Sequence, residues 1–96
     1  MLLEQLYQRK TVITETARRY GACWIGVFGS VARGEELPKS DVDFLVDFPH
    51  GYDLFAQRLL LAEALSKLLD RKVEVILEHE LNRHIRQQVL SEAIDL

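Results

Sequence analysis

Asp41 and Asp43 stand one residue apart at the head of the apolar run "DVDFLV", downstream of the pair Gly29 and Ser30. In an extended segment alternate side chains share a face, so Asp41 and Asp43 point one way while Val42, Phe44 and Val46 point the other. Two carboxylates held close repel each other unless a cation neutralises them, and paired oxygen ligands with room for water suit Mg²⁺. "KVEVIL" at 72–77 offers a third acid by the same alternation, because Glu74 faces away from Val73, Val75 and Leu77. If the two segments adjoin, the three acids can hold two Mg²⁺ ions ~3.5–4 Å apart, the arrangement that clamps the attacking and leaving oxygens in phosphoryl or nucleotidyl transfer. An isolated Asp-x-Asp is far more often a pair of solvated acids at a strand end.

The stretch "FGSVARGEE" changes that balance. Gly29 permits a sharp turn and a close backbone approach, and Ser30 falls at the start of a short helix with its hydroxyl and amide free. Such a turn can cradle phosphate oxygens through N–H groups and a helix dipole. A plain Ser-capped turn is as common a use of Gly-Ser alone. Arg33 and Gly34 add a cation and a second flexible point, which by themselves would mean only a solvated loop.

Positioning these residues requires a small α/β (α+β) sheet with helices packed on it. Leu2, Leu6, Ile13, Ala17 and Tyr20 recur at helical spacing and predict one helix over 2–20, stopped at Gly21. "CWIGVF" (23–28) and "DVDFLVDF" (41–48) read as strands, the second ending before Pro49 and Gly51, with a short helix near Val31–Glu36 between them. From Asp53, a good N-cap, Leu54, Leu61, Leu65, Leu68 and Leu69 keep one apolar face to residue 70. Leu59 and Leu60 fall off that stripe, where a partner could cover them, although single exposed leucines are common. "KVEVIL" is a third strand, and Leu81, Ile85, Val89 and Ala93 predict a closing amphipathic helix over 81–94.

Ninety-six residues suit a single domain over 1–96, with one core and no room for a separate acceptor domain. A second wall for the site would have to come from a partner or from another copy of the chain. The chain is 48% hydrophobic and 28% charged with net charge −3, which excludes a disordered chain and announces no broad basic face for nucleic acid. Cys23, the single cysteine, sits in "ACWIGVF" and reads as a buried, inert thiol, with Trp24 in the core. Neither a signal peptide nor a membrane span is expected, so the expected location is the cytoplasm. His50, His79 and His84 lack metal-ligand spacing, and "EHE" at 78–80 reads as a solvated turn. Tyr7, Tyr20 and Tyr52 are not spaced as a stacking platform for bases, and helix packing accounts better for two of them.

Taken together, Gly29-Ser30-x-Ala32-Arg33-Gly34, five residues, then Ser40-Asp41-x-Asp43-x-x-Val46 resembles the signature of minimal nucleotidyltransferases in the DNA polymerase β superfamily. The similarity runs along nearly the whole chain, through a leading helix, a helix after the Asp-x-Asp strand, a third strand and the tail "LSEAIDL". The resemblance implies that Gly29 and Ser30 bind the nucleotide triphosphate, with Arg33 and Ser40 in the same motif, and that Asp41, Asp43 and Glu74 hold Mg²⁺. Where the family usually has Asp in the third strand this chain has Glu74, one methylene longer. The glycine usual before that strand is replaced by Asp70 or Arg71. Small members resemble the antitoxin half of MNT/HEPN toxin–antitoxin pairs, which implies transfer of AMP from ATP to a hydroxyl on a helical HEPN-type toxin. Two other readings stay open: a degenerate module that acts on a partner by binding alone, and a small-molecule, antibiotic-type nucleotidyltransferase.

Overall fold

Leu2, Leu6, Ile13 and Ala17 recur on one helical face, and all of them are buried. In the computed structural model, which describes residues 2–37, 40–49 and 54–96 (backbone only at 54 and 55), two helices carry them. These are α1 (Leu2–Gln8) and α2 (Lys10–Arg19), in place of the single helix expected over 2–20. The chain bends at Arg9, whose guanidinium donates to the Leu68 carbonyl at 2.6 Å and so ties the bend to a distant helix end. The expected stop at Gly21 is a Schellman motif. Gly21 has φ 99°, its N–H donates to the Arg18 carbonyl at 3.0 Å, and the Ala22 N–H donates to the Ala17 carbonyl at 2.9 Å.

Four strands form one sheet in the order β3-β2-β1-β4. Strand β1 (Trp24–Phe28) runs antiparallel to β2 (Val42–Asp47), and β2 runs parallel to β3 (Val73–Leu77). Between β1 and β2 lies the short helix α3 (Gly29–Arg33), ended by Gly34 at φ 71°. The crossover from β2 to β3 is α4 (Leu54–Leu69). His50, Gly51, Tyr52 and the expected N-cap Asp53 lie outside the described residues.

The alternation in the strands is that of a sheet with a core on one face. Ile25, Val27, Val42, Phe44, Val46, Val75 and Leu77 are buried with Leu6, Ile13, Ala17, Val31, Leu61 and Leu65 from the helices. Full burial of each Val, Leu, Ile or Phe among them contributes about 1.5–3 kcal/mol. On α4 the expected stripe is kept: Leu61 and Leu65 are fully buried, Leu68 and Leu69 pack at its edge, and Leu59 and Leu60 are half exposed. The helix ends at Asp70, which takes a left-handed φ of 52°.

Beyond β3 the chain departs from expectation. "EHE" forms a 3₁₀ turn (Glu78–Glu80), with Glu78 paired to Arg86 at 3.1 Å and Glu80 to Arg58 at 3.2 Å. Helix α5 (Arg83–Glu92) is capped by Asn82, whose side-chain oxygen accepts from the His84 N–H at 2.9 Å. It buries none of its residues, and Ile85 and Leu90 are left exposed, so its apolar stripe does not close the core. The tail then returns as β4 (Ile94–Asp95), paired with Gly26 and Val27. A two-residue strand has no alternation to read in sequence.

Trp24 and Cys23 are corrected by the same corner of the fold. Trp24 is only partly buried, with its ring lying over Gly26, where an added Cβ would meet it at 2.6 Å, and its indole N–H donates to Asp95 at 2.8 Å. Cys23 is exposed at the sheet's end, and its thiol donates to the Asp47 carbonyl at 3.2 Å. Partial desolvation and then the negative charge of Asp47 push the thiol's pKa up, which lowers its thiolate fraction although the residue is exposed. No helix among the described residues is long and apolar enough to cross a membrane.

Candidate active site

The register of the sheet decides which acids meet. Asp43 of β2 lies opposite Phe28 of β1 on one side and opposite Glu74 of β3 on the other. Parallel pairing places the two residues side by side on the face away from the core. Burial, then the charges of Glu74 and Asp41, push the Asp43 pKa up, while Arg33 pulls it partly back. A carboxylate so placed gains from any cation that enters.

Gly29 forms the opposite wall. It follows Phe28 directly, with φ +75°, and a Cβ there would come within 2.6 Å of Asp43 Oδ2. The absence of a side chain is therefore what lets the α3 turn sit against the carboxylate. Ser30 lies in the first turn of α3, half-buried beside this contact.

Other motif residues are occupied in ways that sequence does not announce. Asp41, at the mouth of β2, has Oδ2 3.8 Å from Lys72 Nζ. Arg33 is clamped between Glu35 at 3.2 Å and Glu92 of α5 at 3.1 Å, which keeps it protonated and ties the α3 loop to α5. Ser40 accepts a hydrogen bond at its hydroxyl from the Leu37 N–H at 2.7 Å, and its own N–H donates to the Leu37 carbonyl at 2.9 Å. That reciprocal pair braces the loop leading into β2.

Among the described residues no three His, Cys, Asp or Glu side chains are gathered as a ready metal set. The reason is visible: Asp43 and Glu74 are together, whereas Asp41 is turned to Lys72. The donors are nevertheless those of a hard divalent cation, oxygen-only and crowded enough to raise Asp43. Lys72 and Glu92 are the participants sequence reasoning missed. Lys72 had a signal, since it shares the face of Glu74 two residues on; Glu92 had none, because its contact with Arg33 spans the fold. A cavity of about 150 Å³ between Thr14, Cys23, Trp24 and Asp95 lies at the far end of β1, away from the carboxylates.

The sheet is thus mixed and four-stranded, with Asp43 of the inner strand β2 set against the Gly29–Ser30 turn. The sequence matches the family model of the nucleotidyltransferase domain over residues 9–96, and the chain belongs to that family and is an enzyme of that type. It is 40% identical over 80 residues to "Protein adenylyltransferase MntA" of Thermococcus cleftensis, covering 83% of this chain and 80% of the relative. A solved structure named "Structure of putative minimal nucleotidyltransferase" is 42% identical, superposes with a TM-score of 0.86, and covers 98% of this chain and 95% of its own. A second, named "Crystal structure of the toxin-antitoxin with AMP-PNP", is 27% identical with a TM-score of 0.74, covering 86% of this chain and 68% of its own.

Proposed function

We propose that this protein is a Mg²⁺-dependent adenylyltransferase that moves AMP from ATP to a hydroxyl on a HEPN-type helical toxin, and that it acts in the cytoplasm as that toxin's antitoxin. The observation that carries the reading is the in-register pairing of Asp43 with Glu74 beside the side-chain-free wall at Gly29. Similarity to a protein adenylyltransferase and to a toxin–antitoxin structure supports the choice of donor and acceptor class.

Asp41, Asp43 and Glu74 would hold the cation, Asp41 leaving Lys72 to join the other two. Bound there, a divalent ion supplies charge neutralisation for the phosphates and for the leaving pyrophosphate. Gly29 and Ser30 bind and orient the triphosphate through the α3 turn, with Arg33 and Ser40 steadying its loop. The acceptor oxygen attacks the α-phosphorus in line as the α–β anhydride bond breaks. Glu74 accepts the hydroxyl proton, and pyrophosphate leaves.

Incubation with α-labelled ATP and the partner should label the partner in Mg²⁺ and not in EDTA, and Asp43→Asn should abolish labelling while the fold persists. Unchanged labelling by Asp43→Asn would overturn the site assignment. A second reading, a partner-blocking module without turnover, is favoured by the half-exposed Leu59 and Leu60 on α4. It is selected if the wild type binds ATP and the partner but transfers nothing.

A further inference from the structure

The sheet order gives the site two unlike sides. Strand β1 and its Gly29–Ser30 turn lie on one side of Asp43, and the edge strand β3 lies on the other. With the triphosphate on the α3 turn, the acceptor has to approach over β3, where Glu74 waits as base. Lys72 stands at that entrance. The Val42–Val73 register sets it across from Asp41, it shares the face of Glu74, and its side chain is 82% exposed.

Lys72 also belongs to an open, shallow surface patch formed with Ser66, Lys67, Asp70 and Arg71, between the end of α4 and the start of β3. Three cations and one acid stand in it, in a chain whose net charge is −3. Arg71 is fixed there by donating to the Ser40 carbonyl at 3.4 Å, and Lys67 pairs with Glu63 at 3.3 Å on the outer edge. The contact between Lys72 and Asp41 is long and open to water, so it yields readily to a better-placed anion. That anion is not the triphosphate, because Asp41 and Asp43 lie between Lys72 and the α3 turn.

We propose that Lys72 is the specificity-determining residue for the acceptor: it selects a hydroxyl flanked by carboxylates on the partner polypeptide, whose acidic segment lies across this basic patch beside Arg71 and Lys67. This inference rests on the adenylyltransferase reading above. Charge at the rim sets which acceptor is held and chiefly changes its KM.

The test uses single-tyrosine peptides flanked by Glu, Gln or Lys as acceptors for AMP from α-labelled ATP, with wild type, Lys72→Ala and Lys72→Glu. The wild type should prefer the Glu-flanked over the Lys-flanked peptide by roughly tenfold or more in kcat/KM, through KM. Lys72→Ala should bring that ratio toward unity, and Lys72→Glu should invert it. A ratio unchanged in Lys72→Glu, or no preference in the wild type, overturns the proposal. The same samples are scored for AMP released to water. Release without labelling of any peptide overturns the polypeptide acceptor and this proposal with it, whereas neither product overturns the adenylyltransferase reading itself.

Discussion

Position 29 has room for a hydrogen atom and nothing larger. Gly29→Ala would set a methyl 2.6 Å from Asp43 Oδ2 at a left-handed φ, so it should lower stability by about 1–3 kcal/mol and abolish transfer, as chemical denaturation and a labelling assay would show. Asp43 makes a second test through pH. Its folded pKa lies above the ordinary carboxylate value, so the native state keeps a proton that the unfolded chain has lost. Stability therefore falls as pH rises from the ordinary value through the raised one, and the cost persists at neutral pH. Without divalent cations Asp43→Asn should raise Tm at pH 7 by about 2–4 °C, with the gain vanishing below about pH 4. Thermal scans at the two pH values check this. The alternation of "DVDFLV" and "KVEVIL" was enough to place Asp43 and Glu74 on the outer face. The diversion of Asp41 to Lys72 and of Arg33 to Glu92 was not legible, because both partners are chosen by tertiary contact.

Among the elements, α4 separates packing from exposure most cleanly. Leu65→Ala, removing a fully buried side chain, should cost about 2–5 kcal/mol, while Leu59→Gln on the same helix should stay within about 0.5 kcal/mol in urea unfolding. The helix ends on a strained residue. The left-handed φ of 52° falls on Asp70, so Asp70, and not Arg71, takes the conformation that a glycine would favour. Asp70→Gly should stabilise the protein by about 0.5–1 kcal/mol in the same assay. Element identity was legible wherever apolar residues repeated over several turns or strand pairs, as in α4 and the first three strands. The bend at Arg9 depends on a guanidinium reaching the Leu68 carbonyl, and β4 on two residues meeting β1, so neither leaves a periodic trace. Helix α5 has the periodicity of a core helix but no core to face.

Among the described residues, α4 and α5 each leave two aliphatic side chains that the core does not use: Leu59 and Leu60 on α4, Ile85 and Leu90 on α5. Under the antitoxin reading a specific partner interface buries at least ~1,000 Å², and these residues are its candidates. Leu59→Glu or Leu60→Glu should weaken the complex at least about tenfold by gel filtration or titration calorimetry while leaving Tm within about 2 °C. Equal binding by both variants would move the interface elsewhere. Which surface a partner would cover was not legible in the sequence, because exposure is a property of the folded surface.

The pairing of β2 with β3 has a consequence in time as well as in space. Asp43 and Glu74 come from strands separated by the whole of α4, and nothing local brings them together. Closing that crossover is a non-local step, slower than forming any of the helices. A chain emerging from the ribosome would thus acquire its Gly-Ser turn and its aspartates before Glu74, the base in the function proposed above. Under that reading, recovery of transfer on dilution from urea should trail recovery of helical circular dichroism, because the site is complete only once β3 docks in register.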